Sequence, residues 1–91
     1  MKLMPGSAEP RINLAATLER AGRTEEAFAN YEAALASSPE SIGAAQGLAR
    51  LQLRTKRIDD RTRDLLDEIA MRGETQEWKV WARLQRTALA P

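Results

Sequence analysis

The 91-residue chain contains no cysteine and no histidine. Without cysteine it has no disulfides, no thiol nucleophiles and no thiolate metal ligands. Without histidine it lacks the commonest metal ligand and the usual general base at neutral pH. Both absences count against catalysis, so we predict that the chain is not an enzyme and that it has no cofactor, no metal site and no catalytic residues.

Aromatic side chains, net charge and long apolar runs are also scarce. Only 4% of the residues are aromatic although 43% are hydrophobic, so a core must consist mainly of Leu, Ala and Ile, which suits closely packed helices. The formal net charge is +1, which provides no overall field to attract nucleic acid or an anionic membrane. No apolar stretch has the length of a signal-peptide core or a membrane span, and a cytoplasmic location is the default expectation.

Basic residues are concentrated between Arg50 and Arg63. This run is interrupted by Asp59 and Asp60 and has no aromatic residue that would stack on bases. A solvated surface is the favoured interpretation, so neither a nucleic acid nor a membrane is predicted as a partner.

Apolar residues at helical spacing predict five helices and no strand. The helices are expected at about residues 10–21, 25–36, 42–54, 59–73 and 75–90. The expected capping residues are Gly22 at the end of the first helix, and Thr24, Ser41, Asp59 with Asp60, and Thr75 at the starts of the next four. Residues 1–8 show no periodicity and are predicted to be a flexible lead-in to a single domain at 9–91.

The apolar stripes predict which side of each helix is buried. The first helix is expected to bury Ile12, Leu14, Ala15 and Leu18, the second Ala27, Phe28, Tyr31, Ala34 and Leu35, and the third Ile42, Ala45, Leu48, Ala49 and Leu51. The fourth is expected to bury Leu65, Leu66, Ile69 and Ala70, and the fifth Trp78, Val80, Trp81, Leu84 and Ala88. Glycines at 43 and 47 in the third helix indicate close packing there.

A shift of the sequence by 34 residues superposes many of these positions. Leu14 falls on Leu48, Ala15 on Ala49, Arg20 on Arg54, Tyr31 on Leu65 and Leu35 on Ile69. A period of this length that is filled by two helices is typical of helical-hairpin repeats, in which each unit buries its apolar face against the next.

The first unit resembles the tetratricopeptide repeat. The residues that carry the resemblance are Leu14 with Ala15, then Ala27, Tyr31, Ala34 and Pro39; Arg11 and Leu18 depart from the pattern, which has aromatic residues there. The second unit is degenerate, because Arg61, Glu68 and Gly73 replace the expected small residues and proline. The resemblance implies an all-α fold: a right-handed stack of two antiparallel helical hairpins, at about 9–40 and 41–73, plus a fifth helix at about 75–90 that caps the stack.

The resemblance also implies a concave groove lined by the first helix of each hairpin. Transferred to this chain, the expected groove residues are Ile12, Ala16, Glu19, Arg20, Gln46, Arg50, Leu53 and Arg54. The three arginines of this set would converge and could take a carboxylate in bidentate fashion. The alternative is that they are solvated, with Glu19 or nothing as a partner.

Two functional hypotheses remain open from the sequence. The first is a module that binds a peptide or helix of another, unidentified protein in the groove. The second is a homodimerisation or structural domain attached to a larger protein, such as an enzyme. Trp78 and Trp81 bear on both, because they either seal the last hairpin or present an aromatic anchor at an interface, and Trp78 is the one expected to be more exposed.

Overall fold

A computed structural model describes residues 8–89, and within that range the chain consists of five helices and no strand. The helices are α1 (Glu9–Arg20), α2 (Thr24–Ser37), α3 (Ile42–Arg54), α4 (Asp60–Arg72) and α5 (Gln76–Leu89). Each helix packs against the one before it, and α1 also contacts α3. The all-α helical stack is therefore confirmed, with helix ends within two residues of the predicted ones.

Most helix ends are closed by the predicted residues. Gly22 follows α1 with a φ of 81°, a conformation that glycine adopts without strain. The hydroxyl of Ser41 accepts a hydrogen bond from the Ala44 backbone N–H at 3.2 Å, and the hydroxyl of Thr75 accepts one from the Trp78 backbone N–H at 3.1 Å. The prediction for Thr24 is wrong, because the chain is already helical at this residue and Arg23 precedes the helix without a side-chain cap.

The start of α4 has a reciprocal capping arrangement. The backbone N–H of Thr62 donates to the Asp59 carboxylate at 3.1 Å, while the Asp59 backbone N–H donates to the Thr62 hydroxyl at 3.1 Å. The buried Thr62 hydroxyl also donates to the side-chain oxygen of Gln52 at 3.0 Å, which links α4 to α3. Two otherwise unsatisfied donors are thereby paired at the helix start.

The core runs through the stack and takes most of its buried residues from α2, α3 and α4, with Ala15 of α1 and Ala82 of α5 at its two ends. Its fully buried side chains include Tyr31, Leu48, Leu51, Leu66 and Ile69, as the apolar stripes predicted. At the centre, the ring of Tyr31 lies directly against Gly47, where an added Cβ would stand 2.2 Å from the ring atom Cε1. The close packing predicted for this glycine is confirmed, since no larger residue fits beside the ring.

Two predicted stripes are partly wrong. Leu14 is 48% exposed, and on α5 Val80 is 42% and Leu84 64% exposed, with Ala88 exposed as well. Helix α5 instead buries Ala82, with Trp78 and Leu89 partly buried beside it. The residues at 80, 84 and 88 form a second stripe on the opposite side of the helix, and helical spacing alone does not tell which stripe faces a neighbour.

The predicted N-terminal lead-in lies outside the described residues except for Ala8. Ala8 is 7% exposed and packs with Ala34 and Ala44. None of the helices within residues 8–89 is both long and apolar enough to cross a membrane.

Candidate functional site

Helices α1, α3 and α5 line one face of the stack, and this face contains three adjoining depressions. The first lies between α1 and α3, the second runs along α3 from the start of α1 to α5, and the third lies between α3 and α5. Arg50, in the middle of α3, lines all three. We call this continuous surface the groove.

The structure brings most of the predicted groove residues to this face. The first depression is lined by Ala16, Glu19, Arg20, Arg50 and Arg54. Ile12 and Gln46 line the second, together with Trp78. Leu53 lines none of the three; it is half-buried and packs against the core.

Glu19 holds two of the three arginines. Arg50 donates from both terminal nitrogens to the Glu19 carboxylate, at 2.8 and 2.9 Å, and Arg54 donates through Nε at 3.2 Å. The Glu19 side chain is only 8% exposed, whereas those of Arg50 and Arg54 are 41% and 51% exposed. The Tyr31 hydroxyl lies 3.4 Å from both Glu19 and Arg50 and completes the network. An internal carboxylate thus already occupies the bidentate fork of Arg50.

This network keeps each member in its ordinary charge state. Burial acts to raise the pKa of Glu19, but the hydrogen bonds and charges of Arg50 and Arg54 outweigh it, so the pKa lies below its ordinary value. Burial acts to lower the pKa of Arg50, and Glu19 with Tyr31 outweighs it and raises the pKa. The pKa of Tyr31 is raised, first by burial and then by the charge of Glu19. At neutral pH the first depression therefore carries three cations and one anion.

Of the three arginines in the first depression, Arg20 is the one that Glu19 does not hold. It is exposed, and among residues 8–89 no hydrogen bond or ion pair involves its side chain. The predicted convergence of the three arginines is found, but Arg50 and Arg54 also support the fold. A partner's carboxylate would meet Arg20 and the exposed edge of Arg54.

Gln46 connects α3 to the start of α5. Its side-chain nitrogen donates to the Glu74 carboxylate and its side-chain oxygen accepts from the Glu74 backbone N–H, both at 2.9 Å. Gln46 is 3% exposed, so its amide contributes to the floor of the groove and its polar atoms are already paired.

The two tryptophans stand at the α5 side of the groove. Their rings make an edge-to-face contact, with centroids 5.2 Å apart and planes at 88°. Both are partly buried against the core, and both line the third depression of about 410 Å³. The rings therefore cover part of the last hairpin and also present aromatic surface to the groove.

Sequence reasoning missed the α5 side of the groove. Thr75, Glu77 and Trp81 line the third depression and Glu74 lines the second, yet the fifth helix was predicted to be a cap. The spacing contained a signal for this, since α5 begins at residue 76, one 34-residue period after the start of α3 at residue 42. By that period, α5 corresponds to α3 and belongs to the same face.

Comparison with known proteins includes most of α5 in the repeat. A family model described as the tetratricopeptide repeat matches residues 18–85, which extends the likeness into α5 rather than ending it at Gly73. Searches of curated proteins and of solved structures give no significant match. Repeats of this kind are typically non-catalytic and mediate protein–protein interactions. With three quarters of its length matched and its helices stacked in order, the chain belongs to the tetratricopeptide repeat family.

Proposed function

We propose that the chain binds a segment of another protein in the groove and has no catalytic role. The observation that carries this proposal is the composition of the groove surface. It combines a preformed floor, partly exposed tryptophan rings and Arg20, which has no partner among residues 8–89, and these are the features that concentrate binding energy in interfaces. A cytoplasmic location belongs to the same proposal.

Each depression contributes different residues to the proposed binding surface. Ala16, Arg20 and the exposed edges of Arg50 and Arg54 contact the partner on the α1 side, Ile12 contributes apolar surface in the centre, and Trp78 is the aromatic contact. Three residues support this surface without contacting the partner. Glu19 holds the arginines, Gln46 holds the start of α5, and Leu53 packs against the core.

A peptide selection tests this proposal. Random dodecapeptides displayed on phage are selected against the folded chain, and the bound peptides are mapped by ¹⁵N NMR. We expect shifts concentrated on α1, α3 and α5. Replacement of the small Ala16 by Trp fills the groove and should abolish binding, whereas the matched change Ala29→Trp, at an exposed position on α2, should leave it intact. Shifts confined to α2 and α4, or full binding by Ala16→Trp, would refute the assignment.

A second candidate function is self-association or attachment to a larger protein through the outer side of α5. The observation that favours it is the exposed stripe of Val80 and Leu84, which are 42% and 64% exposed. Large exposed apolar residues at helical spacing often mark an interface. Sedimentation over a wide concentration range tests it: a dimer that Leu84→Glu converts to a monomer supports this candidate, and a monomer at all concentrations refutes the homodimer.

A further inference from the structure

The second depression of the groove has a largely apolar floor that two glycines leave open. Ile12 and the Tyr31 ring line this depression, and Gly43 and Gly47 line it without a side chain of their own. A Cβ added at Gly43 would stand 3.4 Å from the end of the Ile12 side chain, so Ile12 forms the wall beside this glycine. The cavity volume of about 240 Å³ corresponds to about eight water molecules, which exceeds the number of heavy atoms in a lysine or arginine side chain.

Negative charge borders this floor. Glu9 and Glu74 line the second depression, and Glu77 lines the third. Within residues 8–89, Arg50 is the one cation that lines either depression, and the Glu19 carboxylate holds it bidentately. A partner therefore meets an excess of negative charge between the start of α1 and the start of α5.

Two of these carboxylates have acceptor atoms left for a partner. Gln46 donates to Oε1 of Glu74, whereas Oε2 lies 3.8 Å from the point where an added Cβ of Gly43 would stand. In the described part of the chain, no hydrogen bond or ion pair involves this Oε2 or the exposed side chain of Glu9. A neutral side chain placed here would remove water from both carboxylates without pairing them, which is unfavourable.

An aromatic wall adjoins the carboxylates. Trp78 lines both the second and the third depression and is partly buried against the core. Cations are attracted to the face of an aromatic ring, and tryptophan gives the strongest attraction of this kind. Long basic side chains also lay their aliphatic stems on apolar surface while the charged end meets polar groups.

From this arrangement we infer that the second depression binds a lysine or arginine side chain of the partner segment. The aliphatic stem lies on Ile12 and the open glycine floor, and the cation lies between Glu9, Oε2 of Glu74 and the ring of Trp78. This inference rests on the proposed groove function and specifies the chemistry of one partner residue.

The dodecapeptides selected by phage display are the probe. In the tightest-binding peptide, each lysine and arginine is replaced in turn by methionine, which keeps a long apolar side chain and removes the charge. One of these replacements should weaken binding about tenfold, because the site combines carboxylates with an aromatic face. The unsubstituted peptide should shift the backbone NMR signals of Gly43 and Glu74 and the indole N–H signal of Trp78, and the same replacement should reduce those shifts.

Matched variants of the protein locate the basic residue. Glu74→Gln removes the charge but keeps an acceptor oxygen for Gln46, and Glu9→Gln removes the charge of an exposed side chain. Against either variant, the loss caused by the methionine replacement should shrink from about tenfold to about threefold. Glu40→Gln is the control, since Glu40 is exposed and lies outside all three depressions. Against this variant the loss should stay about tenfold.

The outcomes separate this inference from the proposed function. The inference is overturned, and groove binding stays in place, if groove-binding peptides contain no basic residue or tolerate every replacement within about twofold. A loss that is unchanged against both Glu74→Gln and Glu9→Gln has the same meaning. If no selected peptide shifts signals on α1, α3 or α5, the proposed function itself fails, and this inference fails with it.

Discussion

The junction between the two hairpins and the outer side of α5 differ in how far their side chains are buried. At the junction, Tyr31 is 1% exposed against Gly47, and Glu19 is nearly buried between two arginines. On the outer side of α5, Val80 and Leu84 are large and apolar yet lie in solvent. The stability of the stack therefore resides in its interior junction, and the outer side of α5 is open to change or to a partner.

The comparison also explains why the groove has a rigid floor. The network of Glu19, Arg50 and Tyr31 links α1, α2 and α3, while Gln46 fixes the start of α5 to α3. Because these links lie beneath the groove surface, they fix the positions of its three helices relative to one another in the folded chain.

The largest expected effect is that of Gly47→Ala. The added Cβ would overlap the Tyr31 ring, which is 1% exposed and would have to shift, so we expect the free energy of unfolding to fall by about 3 kcal/mol. Urea denaturation measures this.

Gly43→Ala is the matched control, one helical turn earlier, where the new Cβ would stand 3.4 Å from the flexible end of Ile12. It should be neutral or stabilising by about 0.5 kcal/mol. Equal losses for both would show that the junction is not tightly packed.

The next effect is that of Arg50→Met, which keeps the aliphatic stem but leaves Glu19 without its bidentate partner. Because Glu19 is 8% exposed but Arg50 is partly in solvent, we expect a loss of about 2 kcal/mol at neutral pH. Arg54→Met, which removes the more exposed of the two partners, should cost about half as much.

The effect of Arg50→Met should depend on pH. The pKa of Glu19 in the folded chain lies below its ordinary value of 4.5, so the ion pair contributes fully above about pH 4.5 and its contribution is lost as the pH falls through the folded pKa. The stability difference between the parent chain and Arg50→Met should therefore narrow in acid. A constant difference from pH 7 to pH 3 would contradict the ion-pair explanation.

A smaller loss is expected for Asp59→Ala at the start of α4. The Thr62 backbone N–H that donates to Asp59 lowers the pKa of this carboxyl group, and without the cap we expect a loss of about 1 kcal/mol. Since the folded pKa is lowered from 3.8, this contribution is present above that pH and disappears below it. Asp60→Ala, one residue later and fully exposed, is the control and should change stability by less than half as much. Thermal unfolding of both variants separates the loss of the Asp59 cap from the general effect of removing a negative charge near the start of a helix.

The smallest expected effect is on the outer side of α5. Leu84→Ser removes an apolar side chain that is 64% exposed, so we expect the unfolding free energy of the monomer to change by no more than about 0.5 kcal/mol. Leu48→Ala, at a fully buried position, is the contrast and should cost about 3 kcal/mol. A large loss for Leu84→Ser in dilute solution would mean that this side is covered in the folded chain.

Local features of the fold could be predicted well from the sequence. Helix ends depend on short-range signals such as Gly22 and Ser41, and the buried stripe of α2 is unambiguous because its apolar residues share one side. The stripe of α5 was misread because Trp78 and Leu84 lie on different sides of the helix, and each side has apolar residues at helical spacing. Which of these two sides of α5 is buried depends on where α4 packs against it.

The groove was partly predictable for a related reason. The resemblance to the tetratricopeptide repeat implied that Ala16, Arg20 and Arg54 lie on one face, and the structure brings them together. The ion pair of Glu19 with Arg50 spans 31 residues, and a contact of that kind has no local signature. The sequence offered Glu19 only as one alternative partner of the arginines, and the structure shows that Arg50 pairs with it beneath the groove.

By itself, the sequence determined the helical class, the approximate ends of the helices and the hairpin period, because these follow from backbone conformation and the spacing of apolar residues along one chain. The tertiary structure alone decided which side of α5 is buried, which two arginines pair with Glu19 and that both tryptophans border the groove. These properties depend on distances between residues far apart in the chain, and packing sets such distances.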